Sequence, residues 1–446
     1  MLPITCVPEI IAKGMESFRK IFCRAEGFEH VCRFITGLIL SPNKALHGVY
    51  DALVWEERVP SRRAMHEAVF ESGWDSAALI RCHRTEVAQA YQGRGRQVIS
   101  HDWTLAHHER GPKIYAVTKS YDYVERRRAL FQAVVTAVVS NRDWVDGLEM
   151  VVQDPRDLKA EAEYLRATAK TEYTQMAEAH QRLLELLHYR AHQLGYRKRT
   201  EIAVEIVRQL EADGQFPQAH YAFDKGVLTL ELTRLIEGSG KQWVSELEVS
   251  RHIQWQGRWR RVDEVAAELR QQHPESFRSM KVSCRNGEEK CFWAFTKVVR
   301  LKRYGRKRLV IVYEQEDLTD APRFLLTDAL HGESGRMIQT WSYRWASEVF
   351  HEFGKQVWGL ESAQVRKEEA VIRHFRLSCV AQSLVQRAPA AESKSARYAF
   401  AAGKKTYGQK CRAIYREALR SLLELCKRYF AEGKSCDEVL EVLMPA

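Results

Sequence analysis

The sequence predicts an α/β chain: a core of strands and helices, a β-rich insertion within it, and helical regions at both ends. Three observations predict this class. β-branched and aromatic runs crowd together between residues 96 and 140, as in an antiparallel meander. Helix-like and short strand-like stretches alternate between 157 and 249. From about 250 to 335 the pattern becomes two-sided alternating strands, and helical periodicity then returns.

Taken in order, residues 1–93 carry periodic apolar positions, as in "VCRFITGLILSPNKALHGVYDALVW", and "YQGRGR" then breaks the pattern as a basic hinge. Three strands are expected in "RQVISHDW", "PKIYAVTKSYDYV" and "ALFQAVVTAVVS". Residues 157–213 read as helices, followed by a strand "HYAFD", a helix "LTLELTRLIEG" and a strand "KQWVSELEV". The insertion, 250–335, includes "CRNGEEKC", where Cys284 and Cys291 would face each other across an Asn-Gly hairpin. Its tip carries Arg303, Arg306, Lys307 and Arg308, a basic cluster suited to DNA. Residues 336–387 return to helix, 388–410 read as a small, basic linker, and helices close the chain to 446. With the insertion set aside, the core (94–249 and 336–387) follows the order of the RNase H-like fold: a meander, then alternating strands and helices.

At 446 residues the chain exceeds one ordinary core. Its 69 basic against 58 acidic residues, a net charge of +11, favour a polyanionic partner. No stretch approaches the ~20 apolar residues of a membrane span, and the N-terminus lacks a secretory pattern. The ten cysteines show no metal-ligand spacing, so a reducing, cytoplasmic setting is expected.

The chemistry is sought in three carboxylates. Asp102 lies on the first strand, Asp224 ends "HYAFD", and Glu348 lies in "WSYRWASEVFHEFGK". In an RNase H-like arrangement they converge at one sheet edge, where like charges resist ionising together unless a cation neutralises them. Oxygen donors select Mg²⁺ or Mn²⁺, and two such ions about 4 Å apart suit phosphodiester cleavage. Read as one helix at about 100° per residue, Trp341, Arg344, Glu348 and Lys355 share a wedge of roughly 60°.

That segment resembles the signature of insertion-sequence DDE transposases, Tyr-x2-Arg-x3-Glu-x6-Lys, with Trp341 in place of the Tyr. "VISHDWTLAHHERGPKIYAVTKSYDYV" and "YAFDKGVLTLELTRLIEGSGKQWVSELEVSR" are similar to the blocks around that family's first and second Asp. The resemblance spans roughly residues 95–385. It implies an enzyme that binds double-stranded DNA at transposon ends, cuts it and joins the 3′-ends to target DNA. Asp102, Asp224 and Glu348 would hold two Mg²⁺ or Mn²⁺ ions, while Arg344 and Lys355 would hold phosphates. Trp341 keeps a stacking face but loses the Tyr hydroxyl. The family's second Asp beside the first is absent from "HDW". Paired ends would need a homodimer, and the helical region 1–93 would recognise them.

Two other functions compete: a non-catalytic DNA-binding descendant of such an enzyme, and a host nuclease of the same fold. His107 and His108, adjacent and therefore pointing to opposite strand faces, read as loop or surface residues. "RRR" at 126–128 and "YRKR" at 196–199 read as solvated basic faces. Trp243, Trp255 and Trp259 read as packing residues.

Overall fold

Strand β1 (Val98–His108) is the axis of a large mixed sheet. A computed structural model describes residues 3–55, 59–109, 111–154, 163, 196–285, 287–391, 403 and 405–444. On one side of β1, β3 (Arg127–Ser140) pairs antiparallel, and β4 (Val145–Val152) pairs antiparallel with β3. A short edge strand, β2 (Thr118–Asp122), covers the other end of β3. On the other side of β1, β5 (His220–Phe223) and β6 (Trp243–Glu246) follow in parallel.

The inserted strands extend this same sheet. β12 (Arg323–Thr327) pairs antiparallel with β6. Next come β11 (Gly305–Tyr313) and β10 (Glu289–Leu301). β10 in turn carries β7 (His252–Trp255) with β8 (Arg258–Arg261), and β9 (Arg278–Ser283).

Helices cover both faces and both ends of the chain. The N-terminal set is α1 (Glu9–Met15), α2 (Ala25–Leu40), α3 (Leu46–Ala52), α4 (Arg62–His66) and α5 (Ser76–Tyr91). Then come α6 (Arg199–Asp213), α7 (Leu230–Gly238) and α8 (Val262–Gln272). The C-terminal set is α9 (Ser334–Ser342), α10 (Trp345–Gln356), α11 (Glu368–Arg387), α12 (Tyr407–Ala431) and α13 (Cys436–Leu443). Among the described residues no helix is long and apolar enough to cross a membrane.

Period-2 alternation in β3 sorts the core. Val134 and Val138 face a cluster shared with α2, α10 and α11. Val135, Ala137 and Val139 face one shared with α6, α7 and α8. In β1, Ile99 joins the second cluster, so Ser100 and Asp102 point to the α10 side. Gly147 in β4 is required by packing: a Cβ there would meet the Phe350 ring of α10 at 2.5 Å.

Several expectations need correction. β4, "VDGLEMVV", was not expected as a strand, because Gly147 and the buried Glu149 hide its apolar pattern. α8 interrupts the expected run of strands, with Val262, Val265, Ala266 and Leu269 buried at helical spacing. In the β9–β10 hairpin Cys291 stands opposite Lys281, and the Cys284 N–H donates to the Glu288 carbonyl, so the cysteines do not face each other. All ten cysteines are free thiols. The helical reading of 157–162 and 164–195, and the linker reading at 392–402 and 404, lie outside the described residues.

Candidate active site

Parallel pairing lines up three acids. β1 and β5 pair in the register His101 with Phe223, so the next position sets Asp102 beside Asp224. β5 and β6 pair as Phe223 with Ser245, so the next position sets Asp224 beside Glu246. Adjacent strands lie about 4.8 Å apart. A row of carboxylates therefore crosses the sheet where β5 and β6 end.

α10 brings the fourth acid. The Ser347 and Ser100 hydroxyls lie 2.7 Å apart, and His351 Nε2 lies 2.8 Å from Thr136 Oγ1. The Thr136 hydroxyl donates to the Asp102 carbonyl at 3.2 Å, and Thr136 is the cross-strand partner of Asp102. Burial pushes the His351 pKa down to about 3, so its ring is a neutral donor. These buried bonds fix Glu348, one residue after Ser347, above the acidic row.

The electrostatics follow from crowding. Burial raises the Asp102 pKa to about 6, and the charges of Asp224 and Glu348 push the same way. The Trp103 N–H, 2.8 Å from Asp102 Oδ1, and Arg344 oppose the rise. Burial, followed by Asp224, also raises Glu246. Arg344 is a counter-charge within the cluster, with Nη2 2.8 Å from Glu348 and Nη1 3.9 Å from Asp102 Oδ2, while Lys225 and Arg323 act on Glu246. The donors are all oxygen, the type a hard divalent cation prefers, but they are not drawn together as a finished metal site: among the described residues, the group of three ligand atoms lying within 4.8 Å of one another is that of His107, Asp122 and Glu125.

The other expected site residues are placed unevenly. Trp341 belongs to α9, because a tight turn separates that helix from α10 and replaces the single helix expected. Its i→i−3 bonds run from Tyr343 N to the Thr340 carbonyl and from Arg344 N to the Trp341 carbonyl. The indole nevertheless faces two guanidinium groups, those of Arg323 at 4.9 Å and Arg344 at 5.7 Å. Lys355, in the last turn of α10, is held by Glu361 at 3.2 Å.

At the β10–β11 tip, Arg303 and Arg306 are exposed. Lys307 and Arg308 are not presented to solvent as a free basic cluster. Lys307 is buried against Glu237 at 3.1 Å, and Arg308 donates to the Leu330 carbonyl at 2.7 Å and to Thr296 Oγ1 at 3.1 Å.

Sequence reasoning missed Glu246. A strand Glu in "VSELEV" looks solvated, and only the parallel pairing with β5 sets it beside Asp224. It also misjudged the histidines, which both lie on β1. His108 is buried, 3.0 Å from Gln132 Oε1. His107 Nε2 is 2.8 Å from Asp122 Oδ2, with Glu125 and Glu361 beside Nδ1. "YRKR" is likewise engaged: Arg197 pairs with Asp154 and Glu205, and Arg199 lies over the Trp103 ring. Trp243 and Trp255 are buried, but Trp259 is 40% exposed. No family model matches the chain, and no curated protein matches it.

Proposed function

We propose that the chain is a DDE-type DNA transposase that binds the inverted repeats at insertion-sequence ends, cleaves DNA and transfers the 3′-ends to target DNA. One observation carries the reading: Asp102 in β1 and Asp224, just past the end of the parallel strand β5, are close enough for the charge of Asp224 to raise the Asp102 pKa, and Arg344 pairs with Glu348 and lies 3.9 Å from Asp102. The order β4–β3–β1–β5–β6, antiparallel across the first three and parallel across the last three, supports an RNase H-like core. The signature around Glu348 and the charge of +11 support a nucleic-acid substrate.

In this reading Asp102, Asp224 and Glu348 would hold two Mg²⁺ or Mn²⁺ ions, and Glu246 would add negative charge beside Asp224. When bound, such cations activate a water or a 3′-hydroxyl and stabilise the leaving oxygen. The chain's own groups do the rest. Asp102, with its pKa raised to about 6, would be mostly ionised at pH 7.5 and would compete with protons for a cation only in more acidic buffer. Arg344 can engage a phosphate through its guanidinium fork when it leaves Glu348, and Lys355 does so as a point charge when it leaves Glu361. Pairing two DNA ends calls for a homodimer.

The test is nicking of a supercoiled plasmid bearing the element's ends, with Mg²⁺. Glu348→Gln should reduce nicking on the order of a thousandfold, because a carboxylate facing the metal site becomes neutral. Undiminished nicking by that variant contradicts the assignment.

A further inference from the structure

The β2–β3 hairpin is built as if to be touched. Its turn, Tyr123–Arg126, leaves Tyr123 84% and Val124 89% exposed, and Tyr121 in the strand is 43% exposed. The two tyrosine rings meet edge-on at 5.1 Å. Lys119, Arg126, Arg127 and Arg128 are all exposed around them. By strand alternation Lys119 and Tyr121 share a face, and Arg128 stands directly opposite Tyr121.

Beneath this surface the turn is rigidly held. Asp122 is buried and accepts the Val124 N–H at 2.7 Å and the Glu125 N–H at 3.3 Å, while its other oxygen meets His107. Arg126 occupies a left-handed conformation, φ 53°, which costs a residue with a side chain. Folding thus fixes the backbone and leaves the large aromatic groups outside. The local anion, Glu125, is paired with Arg127, so Lys119, Arg126 and Arg128 set the sign of the surface.

We propose that this hairpin is a second DNA contact, in which Tyr121 and Tyr123 pack on sugars or bases while Arg126 and Arg128 meet phosphates. Lys119, Arg126 and Arg128, around exposed aromatic groups, complement a polyanion that also offers apolar sugar and base surface. Position agrees with charge. α10 runs along β1 from Ser347 at Ser100 to Lys355, whose partner Glu361 accepts the His107 N–H. His107 in turn holds the hairpin through Asp122. A strand lying over the acidic row and past Lys355 would therefore reach the hairpin. The five residue steps along β1 from Asp102 to His107 span about 16 Å, or about five base pairs of B-form DNA. The assignment rests on the proposed DNA-cutting function for its distance from the cut, while the contact itself is tested separately.

The experiment is fluorescence anisotropy of a labelled duplex with the full chain, across a salt series, without divalent metal. Tyr121→Ala with Tyr123→Ala should weaken binding about tenfold with little change in salt slope. Arg126→Gly with Arg128→Ala should lower the slope by about two, and the glycine relieves the strained turn, so misfolding would not explain the loss. Wild-type affinity and slope in both variants would overturn the proposal. So would unchanged duplex binding accompanied by lost binding to phosphatidylserine vesicles, which would make the hairpin a membrane surface. A wild-type chain that binds the duplex through the hairpin but never nicks DNA would sink the enzymatic reading and leave this contact standing.

Discussion

Arg84 and Asp102 are both largely buried charges beside the same sheet, but their surroundings treat them differently. Arg84 is 2% exposed and saturated: Nη2 lies 2.5 Å from Glu149, Nη1 2.9 Å from Asp213, and Nε donates to the Leu148 carbonyl. Arg376 supplies a second cation to Glu149. Around Asp102 the balance is reversed. Asp224 and Glu348 act on it, Glu246 lies beyond Asp224, and against these four acids stand Arg344, shared between two of them, and Lys225 and Arg323 near Glu246. The first region closes on itself and needs nothing more from outside. The second is left short of positive charge, as expected where a ligand completes the electrostatics.

The largest effect that would separate the two regions is on catalysis. Asp224→Asn should lower metal-dependent nicking on the order of a thousandfold, while Arg84→Met should leave the acidic row intact. Arg84→Met instead removes a partner of Asp213, leaves the buried Glu149 with Arg376, and should cost about 3–5 kcal/mol in urea unfolding. If Arg84→Met were neutral, the pairing there would not be the closed structural unit described.

Stability against pH sharpens the contrast. Asp102 has its folded pKa raised to about 6, above its ordinary value of 3.8. The protonated form is therefore favoured by folding, its contribution is full below about pH 4, and it is lost as pH rises through about 6. In metal-free buffer Asp102→Asn should then raise stability at pH 8 by roughly 1–3 kcal/mol and flatten this pH dependence. A lower melting temperature for that variant at pH 8 would mean that Asp102 is already well compensated. The smallest expected effect lies at the end of α10. Glu361→Gln frees Lys355 and should tighten duplex binding two- to fivefold at low salt, as read by anisotropy.

Much of this arrangement was legible in the residues. Asp102 stands on β1 and Asp224 directly follows β5, strands whose β-branched and aromatic content is plain, and Glu348 sits in a spaced motif. What escaped depends on partners distant in sequence. Glu246 becomes part of the row only through β5–β6 pairing. Lys307 and Arg308 look solvated until Glu237 and Leu330 fold against them. Trp341 seemed to share a helix with Glu348 because no Pro or Gly marks the turn at Tyr343, so apolar periodicity runs on through a break made by i→i−3 bonds. β4 was hidden because its buried Glu149 is legible as a core residue only beside Arg84.

The most direct test is Mn²⁺ binding followed by electron paramagnetic resonance, with the protein on a short duplex carrying the element's end at pH 7.5. The account predicts that wild-type protein quenches the free-ion signal with two ions bound. Asp102→Asn and Asp224→Asn should each lose at least one of them, while Arg84→Met, kept below its unfolding temperature, should lose neither. Equal Mn²⁺ uptake by wild type and both Asp variants would contradict the claim that this acidic row is the metal site.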